Sequence, residues 1–395
     1  MSNISKVNQN ECTGCGACEN ICPQKCICLE YNQEGFLEPV IDQSLCTDCG
    51  NCIDVCSAML GANKDSCIGE VKVYSAWNKS KEILLKSSSG GIFPSLAEEV
   101  ISRNGVVIGA ALHGDMSLKH IVIDKADEIE KLQGSKYIQS HINNAYLLAE
   151  HYLKEGRLVL FSGLPCQIAG LNLYLQYTKN DKCKNLITCQ LICFGVPSNV
   201  IFREYIAYLE KQYKSKIESY HFRVKLLGWK TYGVQATFKN KGQYLSNGED
   251  DPFMIGFKKA LYLRSSCYAC NHRGFPISAD IALGDFWNVD KYDESLKGID
   301  GISLVVIQTE KGDRLFNSIR NHIVFKRQTV ETAISCNPSL VICPRLPSKR
   351  KEYFDAFLAN GYIYFVNKYT KPYGLFKKLL RIIKRRLRVY IGSTK

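Results

Sequence analysis

Eight cysteines near the amino terminus form two runs with identical spacing. In each run two residues separate the first three cysteines and three residues precede the fourth; the runs are Cys12, Cys15, Cys18 and Cys22, then Cys46, Cys49, Cys52 and Cys56. This spacing turns successive thiolates toward one point, and in bacterial two-cluster ferredoxins the fourth cysteine binds the other cluster. The runs therefore predict two 4Fe-4S clusters, one held by Cys12, Cys15, Cys18 and Cys56 and one by Cys46, Cys49, Cys52 and Cys22.

A pair of structural zinc sites is the alternative interpretation of these runs. Zinc modules usually combine two separated Cys-x2-Cys pairs or use histidine, whereas each run here is continuous. The second run is followed by Ser57 where Pro23 follows the first, a difference that removes no ligand. Three further cysteines, Cys26, Cys28 and Cys67, fall outside both runs, and we interpret them as packed or free thiols.

Cys267 and Cys270 form a second kind of chelating pair, which needs two ligands from elsewhere in the fold. Cys166 and Cys193 are the best candidates, because each follows a strand-like run and α/β sheets commonly build their sites at the carboxyl ends of strands. The competing cysteines are Cys183, Cys189, Cys336 and Cys343. The residues alone favour a third cluster over a zinc site or packed thiols.

The elements that must position these cysteines divide the chain of 395 residues into three predicted regions. Residues 1–70 are cysteine-rich and short of long periodic segments, which is typical of a small domain ordered by its metal. Residues 71–350 alternate strand-like runs, at 106–112, 158–161, 186–194 and 302–307, with helical periodicity at 92–102 and 201–212. This alternation predicts an α/β (α+β) core domain preceded by a small bacterial-type dicluster ferredoxin domain.

Residues 351–395 are predicted to form a basic tail. Ten Lys or Arg and no Asp or Glu lie between residues 356 and 395, so this segment carries +10 of the net charge of +13. From Gly374 onward apolar residues recur on one helical stripe, which predicts a basic amphipathic C-terminal helix on an anionic membrane surface. A solvated helix or a docking arm for a protein is the alternative. The nearly neutral remainder argues against a nucleic-acid partner.

The expected compartment is the cytosol, with the tail at the inner face of the membrane. Residues 1–11 contain no apolar signal core, and no run approaches the length that spans a bilayer. The nineteen cysteines are therefore expected in a reducing compartment, where clustered cysteines bind metals more often than they form disulfides.

A turn of small residues, 87–91, precedes the helix predicted at 92–102. Hydroxyl and backbone N–H groups gathered at a helix start suit a phosphate group, and a simple helix cap is an equally good interpretation. The chain has no GxGxxG sequence, so a Rossmann motif for nicotinamide is not supported.

Several short motifs follow one another in a specific order over residues 8–345. They are Ser89-Gly90-Gly91, Gln133-Gly134-Ser135-Lys136-Tyr137, Gly163-Leu164-Pro165-Cys166-Gln167, Cys193-Phe194-Gly195, Phe222-Arg223, Gly228-Trp229, Arg264-Ser265-Ser266-Cys267-Tyr268-Ala269-Cys270 and Asp280-Ile281-Ala282-Leu283-Gly284-Asp285-Phe286-Trp287. In this order they resemble the beta subunits of coenzyme F420 hydrogenase and dehydrogenase, in the form with an N-terminal ferredoxin domain.

The resemblance implies a flavin-bearing core with a 4Fe-4S cluster of its own, held by Cys166, Cys193, Cys267 and Cys270. The implied FAD contacts are Ser88, Ser89, Gly90, Gly91, Gln133, Gly134, Ser135, Lys136, Tyr137 and Arg264. Lys136 would pair with a flavin phosphate or the ring edge, with a solvated surface lysine as the alternative. Asp285 and Trp287 would line the same cavity, with a capping Asp and a core Trp as alternatives.

The predicted function is that of an iron-sulfur flavoprotein oxidoreductase, which exchanges hydride with a reduced soluble cofactor or substrate and passes single electrons to a redox partner protein. Relatives of this type include subunits of methanogen hydrogenases, reductases of hydroxymethyl chlorophyll and proteins linked to bacterial surface polysaccharide synthesis. The resemblance leaves coenzyme F420 open as a hydride carrier. The alternatives are a non-catalytic ferredoxin-type subunit that docks to a separate enzyme, and a zinc-stabilised scaffold at the membrane.

Overall fold

The cysteine-rich amino-terminal residues pack as a small unit against a larger mixed sheet. The structure is a computed structural model that describes residues 3–61, 70–179 and 183–371. Residues 3–61, called the ferredoxin segment below, contain helix α1 (Ala17–Ile21), an antiparallel hairpin of β1 (Ile27–Tyr31) and β2 (Leu37–Ile41), and helices α2 (Asn51–Asp54) and α3 (Ser57–Leu60).

The two cysteine runs of the ferredoxin segment have matching backbones. Gly14 and Asp48 occupy the same place in their runs and both have left-handed φ angles, of 62° and 52°. Gly16 and Gly50 are likewise equivalent, with φ angles of 79° and 84°, and each is the residue before a short helix. The internal repeat seen in the cysteine spacing is thus a structural repeat as well.

Eleven further strands form two sheets in the described part of the chain. They are β3 (Lys72–Asn78), β4 (Val106–Leu112), β5 (Leu118–Ile123), β6 (Val159–Gly163), β7 (Leu186–Leu191), β8 (Ile217–Val224), β9 (Gly233–Phe238), β10 (Gln243–Asn247), β11 (Ile281–Asp285), β12 (Ser303–Ile307) and β13 (Ile323–Gln328). The large sheet has the order β13-β3-β12-β11-β7-β6-β4-β5, and β8, β9 and β10 form a small antiparallel sheet.

The middle of the large sheet is parallel. β4, β6, β7 and β11 run in one direction. On one side β5 pairs antiparallel with β4; on the other side β12, β3 and β13 follow β11 in that order, each antiparallel to the strand before it. Side chains of the central strands are almost completely buried, as expected for strands that helices cover on both faces. The carboxyl ends of β6, β7 and β11 consequently meet at one edge, which is where the candidate site lies.

Ten more helices cover these sheets. They are α4 (Lys81–Lys86), α5 (Ile92–Ser102), α6 (Ile129–Leu132), α7 (Ala145–Lys154), α8 (Pro165–Tyr177), α9 (Asn199–Tyr213), α10 (Pro252–Lys258), α11 (Glu310–Ser318), α12 (Val330–Cys336) and α13 (Arg350–Phe365). Apolar side chains of α5 and α11 pack on one face of the large sheet, and those of α7 and α8 pack on the other. Helices α9, α10 and α13 share a third core with the small sheet.

The ferredoxin segment is bonded to the core along a broad contact. Arg350 of α13 donates to both carboxylate oxygens of Glu34, at 3.0 and 2.6 Å. The hydroxyl of Ser198, the residue before α9, donates to the backbone carbonyl of Glu34 at 2.6 Å. Gly35 lies against Val200, since a Cβ atom at Gly35 would come within 2.5 Å of the Val200 nitrogen. These contacts hold the ferredoxin segment beside the small sheet.

The predicted mixed α/β class with a ferredoxin-like amino terminus is confirmed, and the strands and helices predicted between residues 71 and 350 are present, although the run predicted at 186–194 is a strand only as far as Leu191. The runs predicted at 106–112 and 302–307 are β4 and β12, and the helix predicted at 92–102 is α5. The first part of the predicted tail is α13, whose Phe354, Phe357 and Phe365 are buried in the core shared with the small sheet. The basic amphipathic helix predicted from Gly374 lies outside the described residues, as does Cys67. Among the described helices, none is both long and apolar enough to cross a bilayer.

Candidate functional site

The eight cysteines of the two runs lie in two sets within the ferredoxin segment. Each set contains the first three cysteines of one run and the fourth cysteine of the other. Cys18 is packed with Cys15, Cys12 and Cys56: burial raises the pKa of its thiol well above the usual value, and those three thiols raise it further. We call Cys12, Cys15, Cys18 and Cys56 the first thiol group. Cys22 lies instead with the second run, and Cys22, Cys46, Cys49 and Cys52, which line one small cavity, are the second thiol group.

The two groups differ in exposure. Cys15, Cys18 and Cys56 are buried, whereas Cys49 of the second thiol group is exposed. Cys26, predicted to be a packed thiol, is buried beside the second group, with its sulfur 3.4 Å from that of Cys22. Cys28 is exposed. A partner protein can therefore come closer to the second thiol group than to the first.

Cys166, Cys193, Cys267 and Cys270 form a third thiol group at the carboxyl ends of the parallel strands. Cys166 lies in the first turn of α8, directly after β6, and Cys193 lies two residues beyond β7. Burial raises the pKa of Cys166 well above its usual value, and the thiols of Cys270, Cys193 and Cys267 raise it further. Burial likewise raises the pKa of Cys193 to about 12. The structure thus brings together the four cysteines predicted for the inner cluster.

Of the four competing cysteines, three lie away from the third thiol group and one lies beside it. Cys189 is buried within β7, and Cys336 is buried in α12. Cys183 lines a cavity at the opposite edge of the sheet. Cys343 is the exception, because its thiol lies 3.7 Å from the carbonyl oxygen of Cys270.

The donor chemistry of all three groups fits iron-sulfur clusters. Among the described residues, no set of three or more Cys, His, Asp or Glu side chains converges closely enough to hold a single metal ion. A cubane does not require such convergence, because each of its four thiolates binds a different iron. Backbone N–H groups already point at two of the sulfurs: Gly14 donates to Cys12 Sγ at 3.4 Å, and Val196 donates to Cys267 Sγ at 3.3 Å. Such bonds orient and tune cluster ligands.

The first and third thiol groups adjoin each other through α8. The Tyr146 hydroxyl is fully buried and lies 2.7 Å from the carbonyl oxygen of Cys15 and 2.8 Å from that of Gln167, the residue after Cys166. Gly170, one turn further along α8, leaves room for this contact, since a Cβ atom there would lie 3.1 Å from Cys15 Sγ. The ferredoxin segment and the core therefore meet at their cysteines.

The two segments predicted to contact the flavin lie side by side. The Ser88 hydroxyl accepts a hydrogen bond from the backbone N–H of Ser135 at 2.7 Å, and Gln133 donates to Ser87 at the same distance. Gly91 precedes α5 in a left-handed conformation, and no side chain caps the start of that helix. Gly90 has a packing role, because a Cβ atom there would lie 2.2 Å from the Ala76 carbonyl oxygen.

Lys136 is neither a solvated lysine nor a free cation. Its ammonium donates to the carbonyl oxygens of Leu132, Gln133 and Gly134, at 2.9, 2.9 and 3.3 Å. Burial lowers the pKa of Lys136 to about 7. In this arrangement Lys136 closes the end of α6, and its ammonium would have to leave these carbonyl groups to reach a phosphate.

A buried arginine site beside these segments was missed by reasoning from residue types. The side chain of Arg223, only 2% exposed, is paired with the carboxylate of Asp285 at the end of β11 and lies over the rings of Tyr232 and Trp287. Trp229 also donates to Asp285, at 3.1 Å. Three signals in the sequence belong to this site: the Phe222-Arg223 and Gly228-Trp229 motifs, to which no role was assigned, and the prediction that Asp285 and Trp287 line the cofactor cavity.

Two donor nitrogens of Arg223 are left over in this site. Nε and one terminal nitrogen are buried and have no hydrogen-bond partner among the described residues. Buried donors of a charged group are normally satisfied, so these two indicate an acceptor that the described residues do not supply. Tyr137, from the predicted flavin segment, lies 3.5 Å from the third nitrogen. An anionic cofactor is the kind of ligand that this arrangement fits.

A chain of aromatic rings joins the arginine site to the third thiol group. The Tyr137 ring lies 5.0 Å from that of Phe257, which lies 5.3 Å from that of Phe194, the residue after Cys193. By contrast, Arg264, predicted to contact the cofactor, donates to the carbonyl oxygen of Cys12 at 3.0 Å and to that of Leu37 at 2.6 Å. The guanidinium of Arg264 therefore lies against the ferredoxin segment.

His120 is a buried histidine next to Lys136. Its Nε2 lies 2.9 Å from the Ser162 carbonyl oxygen, which makes Nε2 the protonated nitrogen, and Nδ1 has no partner among the described residues. Burial lowers the pKa of His120 to about 4, and the charges of Lys136 and His141 lower it further. The ring is neutral at pH 7.

This histidine is expected to make stability depend on pH. An unfolded histidine has a pKa of about 6.5, so between pH 6.5 and pH 4 the unfolded chain binds the extra proton and stability falls as pH falls. The loss from pH 7 to pH 5 should be about 2 kcal/mol. Urea unfolding of wild type and His120→Phe at both values checks this: the variant should lack that part of the slope, and parallel slopes would contradict it.

A separate cavity of about 670 Å³ opens at the amino ends of β7 and β11. It is lined by polar side chains that include Asp280, Thr188 and Lys311, and Asp280 is satisfied by the backbone N–H and hydroxyl of Thr188. None of the cysteines in the three thiol groups lines it. The third thiol group and this cavity thus lie at opposite ends of the parallel strands.

Comparison with known proteins agrees with this architecture. Two profiles for the beta subunit of coenzyme F420 hydrogenase/dehydrogenase match the chain, the amino-terminal one at residues 73–146 and the carboxyl-terminal one at residues 156–333. A 4Fe-4S dicluster domain profile matches residues 11–59. The chain is 27% identical over 318 residues to a coenzyme F420-dependent sulfite reductase of Methanocaldococcus jannaschii, an alignment that covers 79% of this chain and 46% of that protein.

The chain therefore spans about half the length of this curated relative. Among solved structures, a chain of the F420-reducing NiFe hydrogenase complex from Methanosarcina barkeri aligns with a TM-score of 0.45 at 20% identity, covering 76% of this chain and 92% of that one. The two beta-subunit profiles are successive parts of one family and together extend over most of residues 73–333. The chain belongs to the family of coenzyme F420 hydrogenase/dehydrogenase beta subunits, in the form that has a 4Fe-4S dicluster domain at its amino terminus.

Proposed function

We propose that this chain is an oxidoreductase subunit that passes electrons between a flavin at the arginine site and a redox partner at the second thiol group, by way of three 4Fe-4S clusters. The observation that carries this proposal is the position of the third thiol group. It adjoins Cys15 of the first thiol group on one side, and the Phe194, Phe257 and Tyr137 rings connect it to Arg223 on the other.

The residues have distinct parts in this proposal. Arg223 would donate its two unpartnered nitrogens to an anionic group of the flavin, while Asp285 keeps the guanidinium oriented. Tyr137 and Trp287 would contact the flavin ring, and burial around them excludes water. A flavin, when bound, accepts two electrons as hydride and releases them singly. The coenzyme F420 in the names of the two relatives makes a reduced deazaflavin the first hydride donor to examine.

The exposed second thiol group is the proposed contact site for the redox partner on this path. Cys49 is exposed, and the nearby Leu45 is an exposed apolar side chain, so a partner protein can approach closely. Such a path would also serve a non-catalytic electron-transfer subunit that lacks flavin. The predicted link to surface polysaccharide synthesis has no counterpart in the relatives described above and stays a prediction.

Metal and flavin analysis of protein purified without oxygen tests the proposal. With four irons per cluster, we expect about twelve irons and as many sulfides per chain, together with one flavin. About eight irons without flavin would favour the electron-transfer subunit instead. Zinc without sulfide would overturn both. Adding reduced coenzyme F420 or NADH to the flavin-loaded protein should then bleach the flavin absorbance if hydride enters at this site.

A further inference from the structure

Arg264 lies between the first and the third thiol groups. Its guanidinium donates to the carbonyl oxygen of Cys12, and its own carbonyl oxygen accepts the backbone N–H of Cys267 at 3.0 Å. The adjacent Ser266 hydroxyl donates to the same Cys12 carbonyl oxygen at 3.0 Å. One residue thus contacts the backbone of a cysteine in each group.

The charge of Arg264 is not neutralised by any carboxylate in the part of the chain that the structure describes. The side chain is buried, with 3% of the residue exposed, and its acceptors are the Cys12 and Leu37 carbonyl oxygens and the Gln139 amide oxygen. None of the described carboxylates forms an ion pair with it, and its Nε has no partner among the described residues. Buried charges are normally paired, so a guanidinium buried without a carboxylate partner implies a negative group beyond those of the described residues.

The structural repeat allows the surroundings of Arg264 at the first run to be compared with the equivalent position of the second run. Gly14, in the first run, makes room for Arg264, because a Cβ atom there would lie 2.8 Å from its guanidinium. The equivalent residue of the second run is Asp48, an exposed acid whose carboxylate lies 3.9 Å from Cys46 Sγ. The two halves of the ferredoxin segment therefore have matching backbones, but Gly14 faces the positive charge of Arg264 whereas Asp48, its equivalent, carries a negative charge.

We propose that the charge of Arg264 raises the reduction potentials of the clusters at both the first and the third thiol groups. The cluster at the second thiol group then has the lowest potential of the three. This inference rests on the proposed function, since it requires clusters at these groups. A nearby cation favours the reduced form because reduction adds one electron and one negative charge to a cluster. Electrons that enter at the exposed second thiol group then move inward, toward the core.

The test compares Arg264→Gln with Arg264→Lys in full-length protein purified without oxygen. Potentials are measured by redox titration followed by electron paramagnetic resonance. In Arg264→Gln, we expect the ratio of reduced to oxidised cluster at a fixed potential to fall about tenfold at two of the three clusters, a shift of about 59 mV for a one-electron couple. Arg264→Lys keeps the charge and should keep both potentials near those of wild type.

Two further variants separate charge from hydrogen bonding and from folding. Ser266→Ala removes a bond to the same Cys12 carbonyl oxygen without changing charge, and it should leave all potentials unchanged. If Arg264→Gln loses iron, Gln139→Glu places a carboxylate beside the intact guanidinium, and the same two potentials must fall. Unchanged potentials in Arg264→Gln or in Gln139→Glu, in protein that retains its iron, or an equal shift of all three potentials, would overturn the proposal. Wild-type protein without iron and sulfide would instead refute the proposed function.

Discussion

Replacing Cys166 with alanine should remove one cluster and leave two. Cys166 is the member of the third thiol group that α8 holds rigidly, and without it the cubane loses one of four thiolates. We expect the iron content of protein purified without oxygen to fall from about twelve to about eight per chain, with an equal loss of sulfide. Because the third thiol group lies between the proposed flavin site and the ferredoxin segment, reduction of the two remaining clusters by a hydride donor should also stop.

Cys189→Ala is the matched control for this change. Cys189 is fully buried in β7, close in sequence to Cys193, but it belongs to none of the thiol groups. This variant should keep its full iron content. Cys343→Ala tests the one competing ligand, since the thiol of Cys343 lies near the Cys270 carbonyl oxygen. Loss of iron in Cys343→Ala but not in Cys166→Ala would show that the third ligand set has been assigned incorrectly.

Removing the carboxylate of Asp285 should destabilise the protein strongly. Arg223 is buried and its only carboxylate partner among the described residues is Asp285, so Asp285→Ala leaves an uncompensated charge in the interior. Breaking a buried ion pair in this way costs about 3–5 kcal/mol. We expect the free energy of unfolding, measured with urea, to fall by that amount, and we expect flavin binding to be lost at the same time.

Two comparisons show whether burial of the charge is the cause. Glu310→Ala removes one partner of the ion pair with Arg314, whose side chains are 79% and 70% exposed, and it should cost less than about 1 kcal/mol. The double change Arg223→Met with Asp285→Leu removes both charges and should recover most of the lost stability. A loss in Asp285→Ala no larger than in Glu310→Ala would contradict the proposed role of the pair.

Local patterns in the sequence were enough to predict the cysteine chemistry and the central strands. The spacing of Cys12 to Cys22 and of Cys46 to Cys56 is a property of short segments, and so is the apolar run that forms β7. The expectation that Cys166 and Cys193 meet followed from a general rule about carboxyl ends of parallel strands. The antiparallel attachment of β3, β12 and β13 was not predicted, because an apolar run does not specify its neighbours.

Contacts between distant parts of the chain account for what was missed. Arg223 and Asp285 are 62 residues apart, and Arg264 bonds to Cys12, which precedes it by 252 residues. No periodicity or motif spacing encodes such pairs. The family resemblance implied that Lys136 pairs with a flavin phosphate or the ring edge, but its ammonium is engaged by the end of α6, a local arrangement that depends on the exact turn. Residue type alone could not distinguish these uses of a cation.

The arrangement of the third thiol group imposes an order on biosynthesis. Ligands for the first two groups are complete once residue 56 has left the ribosome, whereas the third group waits for Cys270. The amino-terminal part of a chain generally folds first during translation. If clusters bind as proposed, the ferredoxin ligands would therefore be available while they are still part of a nearly local peptide, whereas the inner set would be complete only after β6 and β7 have aligned.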